Sequence, residues 1–314
     1  MKKILFVIFA LVLSTVCTAQ IVNFPSREVK IVTSLPAGSG PDSLLRKIAE
    51  RLSVKWKVPV IIENKPGGAG SIGLQHYNKE PASGHTLYLA DNGVILSYPV
   101  LFNDQEIIKN IKPVAPVTRN YMMLIGSPQI KNFQELETVI RKKPMFGSWG
   151  FGSSGHLSGL ELGEDLGIKV THVPYKEYHQ WYADTSSQEL SFGFSTIGSS
   201  TAMEQAGKIK YLAYSGPTRH PNFPNVPTLK EATNLRISLT AWVAFYVNKN
   251  VPQEIISILH QDLSAAIADT EVSLQMSKMN FNPWPVSIAE FDQIVSNESK
   301  AYRQIANKYN IKEN

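Results

Sequence analysis

Cysteine is nearly absent. The 314-residue chain has one, Cys17, inside an N-terminal stretch that reads as removable, so the mature protein is expected to have no disulfide and no thiol chemistry. Beyond that stretch no apolar run reaches membrane length. Charge of one sign is missing too: 31 Lys and Arg stand against 26 Asp and Glu. Without Lys2 and Lys3 the balance is 29 against 26, a net charge of +3, scattered with no long basic block. That gives no reason to expect nucleic acid as a partner. The histidines at 76, 85, 156, 172, 179, 220 and 260 lack zinc spacing, and no metal is expected.

The first nineteen residues carry Lys2 and Lys3, the apolar run ILFVIFALVL and the small-residue stretch STVCTA, the pattern of a secretory signal with cleavage after Ala19. A lipid on Cys17 is the alternative, disfavoured because Val16 is bulky for the position before a lipidated cysteine. The expected mature chain is exported and soluble, and its length favours two domains.

Alternation and helical spacing then take turns. "EVKIVTS" (28–34), "VPVIIEN" (58–64) and "TLYLAD" (86–91) read as strands separated by helices, which predicts a parallel sheet with right-handed crossovers. After a loop rich in Asn, Pro and Gly a second α/β unit follows, with strands at "YMMLIG", "MFGSWG", "THVPY", "SFGFST" and "IKYLAYSG". "SLTAWVAFYV" (238–247) is one more strand, and two helices close the chain. The expected organisation is two α/β domains of Rossmann-like build joined by a hinge, residues 20–118 with 238–314 and residues 119–237, with a ligand cleft between them.

In open parallel sheets ligands sit beyond the carboxyl ends of strands, where helix N-termini present free N–H groups. "SLPAGSGPDS" belongs there: Gly38, Ser39 and Gly40 can bring amides to a guest, Pro41 fits the first helical position, and Asp42 complements the helix dipole. "GSWGFGSSGH" repeats the offer with Ser153, Ser154, Gly155 and His156. Two such cradles suggest a ligand with more than one carboxylate; two ordinary glycine-rich turns are the bland alternative. "GAGSIG", Gly68 to Gly73, matches the dinucleotide fingerprint with Asp91 about where a ribose acid would stand, but Lys65, Pro66 and Gly67 separate it from its strand, and no cofactor is expected. No G-x-S-x-G occurs, so a hydrolase built on Ser154 and His156 is the weaker enzymatic alternative. Tyr175, Tyr178, Trp181 and Tyr182 wall a pocket or belong to the core.

"VKIVTSLPAGSGPDSLLRKIAERL", "VPVIIENKPGGAGSIG", "GHTLYLADNG", "FGSSGHLSGLEL", "VTHVPYK", "GKIKYLAYSG" and "FPNVPTLKEA" follow the order and spacing of the tripartite tricarboxylate transporter substrate-binding proteins, the Bug proteins, over nearly the whole mature chain. The resemblance implies a periplasmic binding protein of the type II fold, monomeric and without catalytic residues. It would close on a small carboxylate, a dicarboxylate, tricarboxylate, aromatic acid or acidic amino acid, and deliver it to membrane permease subunits, or, as an alternative, signal to a receptor. It also implies that the loop of Ser39, Gly40 and Asp42 holds one end of the ligand and the loop of Ser153, Ser154 and His156 the other. Asp91, Asn92, Tyr175, Ser195 and Thr196 complete the expected site, and "GGAGSIG" is expected to be a structural turn. The chain departs from the family pattern at Ser39, commonly glycine, at Glu177, and at Phe194, Ser195 and Thr196 where an acid and an asparagine are common; these departures leave the ligand open.

Overall fold

The computed structural model describes residues 23–233 and 239–309. The expected signal sequence, Cys17 and the expected domain boundary at 237/238 lie outside the described residues. The chain runs through β1 (Val29–Thr33), α1 (Gly40–Trp56), β2 (Val60–Asn64), a 3₁₀ turn (Gly68–Gly70), α2 (Ser71–Tyr77) and β3 (Thr86–Asp91). A π-helical turn (Gly93–Ser97), α3 (Tyr98–Leu101) and a second 3₁₀ turn (Glu106–Ile108) lead to β4 (Ile111–Asn120). Next come β5 (Met122–Gly126), α4 (Phe133–Lys142), β6 (Met145–Ser148), α5 (Ser154–Asp165), β7 (Thr171–Pro174) and α6 (Tyr178–Ser186). They are followed by β8 (Phe192–Thr196), α7 (Ile197–Gln205), β9 (Lys210–Tyr214) and α8 (Leu229–Thr233). The last elements are β10 (Ala241–Asn248), α9 (Gln253–Ile267), α10 (Thr270–Lys278) and α11 (Ile288–Lys308).

Two five-stranded sheets result, ordered β2-β1-β3-β10-β4 and β7-β6-β8-β5-β9. β1 pairs in parallel with β2 and β3, as the strand–helix–strand spacing predicts. β10 runs antiparallel between β3 and β4, so the first sheet is mixed. The chain passes from the first sheet to the second at Tyr121, between β4 and β5. β4 corrects the sequence reading, which treats residues before 121 as loop. Pro113 and Pro116 cannot donate ladder hydrogen bonds, so a strand carrying them is tolerated only at an edge. β4 is at the edge, and the two register shifts along β10 fall at these prolines.

Local signals set the helix ends. Ser39 caps α1, its Oγ accepting the Asp42 N–H at 3.3 Å; Ser153 caps α5 in the same way through His156, and Ser287 caps α11. On α1, Leu44, Leu45, Ile48 and Leu52 are at most 1% exposed, each contributing about 1.5–3 kcal/mol of burial. They pack with Val29, Ile31 and Phe245 into the core of the first lobe.

A second apolar cluster crosses between the sheets, joining Tyr88, Val94 and Tyr98 to Leu124, Phe146 and Phe192. The segment from Gly93 to Leu101 therefore binds to both lobes. On another side the start of α1 meets the start of α7: a Cβ on Gly40 would stand 2.7 Å from the Gly198 carbonyl oxygen, closer than real contacts allow. Gly198 in turn lies against the Phe281 ring. The lobes are thus shut on each other with no space for a side chain at this seam. Gly40→Val is expected to prop the lobes apart without unfolding either. Small-angle scattering checks this: an enlarged radius of gyration with unchanged far-UV circular dichroism is the expected outcome, and an unchanged radius would count against the contact.

Candidate functional site

Strand ends and loops of both lobes enclose a cavity of ≈ 230 Å³. The first lobe supplies Ser34–Pro36 after β1, Pro66–Gly70 after β2, and Asp91, Gly93 and Val94 after β3. The second supplies Trp149–Phe151 and Ser153 after β6, and Pro174–Lys176 and Tyr178 after β7. Beside it lies a smaller chamber of ≈ 30 Å³, lined among others by Asn92, Thr118, Asn120, Thr196 and Ser199. Leu35, Asp91, Trp149 and Tyr178 line both spaces and so form the wall between them.

The expected structural turn is part of this lining. Gly67, Gly68, Ala69 and Gly70 all have positive φ, 113°, 55°, 49° and 92°, a run that a non-glycine residue joins only under strain. A Cβ on Gly70 would sit 2.1 Å from Val94 Cγ2, so only glycine fits there. Tyr88 supports the turn from below, its hydroxyl reaching the Gly70 carbonyl at 3.4 Å. Among the described residues the N–H groups of Gly67, Gly68 and Ala69 meet no acceptor, and successive free amides in such a turn make a concavity suited to an anion.

Asp91 is the acidic group on the shared wall. Its Oδ1 accepts the Val94 N–H at 3.1 Å; the Gly93 N–H and the Trp149 indole, reaching over from the other lobe, are close enough to favour its carboxylate. Burial holds its carboxyl above the usual carboxylate range, and these groups offset that only in part. Lys176 stands exposed at the rim, without a carboxylate partner among the described residues.

Of the residues singled out from sequence, Ser153 and Tyr175 line the cavity, Asn92 and Thr196 the smaller chamber, and Asp91 both. Several are spent on the fold itself. Asp42 is fully buried and accepts from Gly38 N (2.8 Å), Asn64 Nδ2 (2.8 Å) and Arg46 Nε (2.9 Å). With Ser39 it consumes the capacity of its helix start, so the first cradle is closed by its own side chains and contributes Ser34, Leu35, Pro36 and Pro41 instead. Gly40 abuts Gly198, and Gly155 lies under the Trp149 ring and the Phe194 carbonyl. Asn92 ties the Thr240 carbonyl to the Tyr302 hydroxyl, both at 2.7 Å. Ser195 bonds Tyr182 at 2.9 Å inside the core. Tyr175 donates to Asp184. Trp149, Lys176 and the 67–70 turn are the site residues that the sequence reading missed; the tryptophan between two glycines of "GSWGFG" was the available signal.

Ser154 and His156 form no catalytic pair. Ser154 Oγ is buried and without a partner among the described residues, while His156 Nδ1 accepts the Gly152 N–H at 3.0 Å. The His156 ring stacks on His172 with centroids 3.9 Å apart, and His172 Nε2 lies 2.7 Å from Ser148 Oγ. Ser148 also receives Ser153 Oγ at 3.1 Å, so the histidines brace the loop that presents Trp149. Among the described residues no cluster of His, Cys, Asp and Glu could hold a metal ion, and no helix is long and apolar enough to cross a membrane.

Residues 44–311 match the family described as the tripartite tricarboxylate transporter family receptor. The chain belongs to that family. A UPF0065 protein of Bordetella pertussis is 25% identical over 282 residues, 88% of this chain and 87% of that protein. The periplasmic binding protein BugD is similar in structure with a TM-score of 0.84, covering 92% of this chain and all (100%) of that one at 22% identity. MatC from Rhodopseudomonas palustris, solved with bound malate, has a TM-score of 0.82 at 23% identity over 90% of this chain and 99% of its own. At these identities the structural likeness establishes the two-domain type II fold of periplasmic binding proteins.

The stacked histidines are expected to make this family member sensitive to acid. Burial pushes His156 down to about 4, and burial followed by the charge of His156 pushes His172 down to about 2. In the unfolded chain both titrate near about 6.5, so below that pH the unfolded state binds more protons than the folded one. Stability is complete above about 6.5 and falls by up to about 1.4 kcal/mol per pH unit for each ring, until the folded ring itself protonates. Melting temperatures between pH 7.5 and 4.5 should drop less steeply for His156→Phe than for the parent; parallel slopes would show that His156 is not held neutral.

Proposed function

We propose that the protein is a periplasmic solute-binding protein that captures a small carboxylate in the cavity between its lobes and delivers it to a tripartite tricarboxylate-type membrane transporter. The observation that carries this reading is the cavity of ≈ 230 Å³ whose wall comes from both sheets and offers unpaired N–H groups at Gly67–Ala69 with Lys176 at the rim. A carboxylate leaving water needs replacement hydrogen bonds, and charge-assisted bonds to amides and an ammonium are the strong kind. Donors on two lobes meet one guest only when the lobes are together, which ties closure to occupancy. Family membership supports the same role, as does malate bound to the similarly folded MatC.

A thermal-shift screen of the mature protein against mono-, di- and tricarboxylates, aromatic acids and amino acids tests the reading. A ligand present at about a hundred times its dissociation constant adds about 2.7 kcal/mol, a shift of a few degrees; no shift with any carboxylate would refute the proposal. Lys176→Ala is expected to weaken the ligand found by about three- to tenfold and to flatten the salt dependence of its affinity, measured by titration calorimetry at two ionic strengths.

A further inference from the structure

We infer that the cavity is built for a carboxylate that also carries a protonated amine, with Asp91 as the counter-charge of that amine. This rests on the carboxylate-binding reading and narrows its substrate class.

The donors and acceptors of the cavity are segregated. The free N–H groups of Gly67, Gly68 and Ala69 and the ammonium of Lys176 border the larger cavity only. Asp91 stands on the wall shared with the smaller chamber, its Oδ1 accepting the Val94 N–H, and the Gly93 N–H and Trp149 indole that also act on it are uncharged. Among the described residues no Lys, Arg or His pairs with it. Tyr178, the other titratable group on the shared wall, is kept uncharged by burial and then by the neighbouring Asp91, both of which push its phenol up. The Asn92 amide nitrogen is spent on Thr240 and Tyr302. The smaller chamber beside Asp91 is lined by Thr118, Asn120, Thr196 and Ser199, polar but uncharged, and has room for one or two waters. This side can accept hydrogen bonds from a cation and carries no charge with which to receive an anion.

Charge counting points the same way. Asp91 and Lys176 together leave the lining neutral. A dicarboxylate would add two negative charges and set one of them facing Asp91 with little water between, where like charges repel most. A ligand with one ammonium and one carboxylate adds none, and each end meets its opposite.

Matched acids that differ only in the amine decide the matter: L-aspartate against succinate, L-glutamate against glutarate, and L-phenylalanine against 3-phenylpropionate, titrated by calorimetry into the parent protein and Asp91→Asn. The parent is expected to bind the amine-bearing member of at least one pair at least tenfold more tightly. Asp91→Asn should lose tenfold or more on that member and keep or gain affinity for its partner. If the parent prefers the acids without an amine, and binds them more tightly at low pH, Asp91 acts as a protonated donor and the inference fails while carboxylate binding stands. Equal losses on both members would make Asp91 only a support for Trp149, and would overturn it equally. Binding of none of the six would overturn this inference together with the reading beneath it. The comparison within the parent protein needs no variant, so a poorly folding Asp91→Asn does not blunt it.

Discussion

The contact between Asp91 and Trp149 is the interaction on which the site depends. It joins the end of β3 in one lobe to the loop after β6 in the other, and both residues line both cavities. A carboxylate on a closed wall has to be compensated, since removing charge from water is costly unless hydrogen bonds replace it. The Val94 N–H does so in part at 3.1 Å, and the Gly93 N–H and the Trp149 indole, the latter from the opposite lobe, add to it. Ionising Asp91 is therefore easier with the lobes together, and the lobes being together sets Asp91 on the cavity wall.

The contrast between the two glycine loops of the first lobe shows why this site is hard to read from helix starts alone. Both follow a parallel strand and precede a helix. After β1, Ser39 and Asp42 hydrogen-bond to the amides that an anion would need, because a capping serine and a first-turn acid are the residues that stabilise a helix start. After β2 no side chain does this: α2 has no side-chain cap, and the amides of the left-handed turn stay open. The better the cap, the less a helix start has left to offer a ligand.

Much of the architecture was legible for reasons of period. Alternation marks β1, β2 and β3, the stripe of Leu44, Leu45, Ile48 and Leu52 marks α1, and short connections imply parallel pairing. β4 was hidden because Pro113 and Pro116 erase the strand signal, and only pairing to β10 reveals that it sits at an edge. In the candidate site, Asp91 was visible, though singled out partly as a ribose acid, whereas its actual neighbours depend on two lobes meeting. Trp149 reaches Asp91 across a seam whose closeness rests on Gly40 and Gly198, residues 158 positions apart in the chain. The strain at Ala69 is likewise invisible, since alanine gives no sequence hint of a positive φ.

Closure and selectivity then follow from one arrangement. A dissociation constant near ~1 μM requires about 8 kcal/mol, and a small guest reaches it only if nearly every polar atom finds a partner and water is excluded. In the proposed reading the shut seam at Gly40, the apolar bridge through Val94 and Tyr98, and the ring of Trp149 exclude the water, and the 67–70 turn, Lys176 and Asp91 supply the partners. Because the Trp149 indole acts on Asp91 from the other lobe, their contact adds to what holds the lobes together. On the proposed reading a guest needs only to favour the closed state over the open one, and Asp91, which no cation among the described residues answers, is the charge through which it would do so.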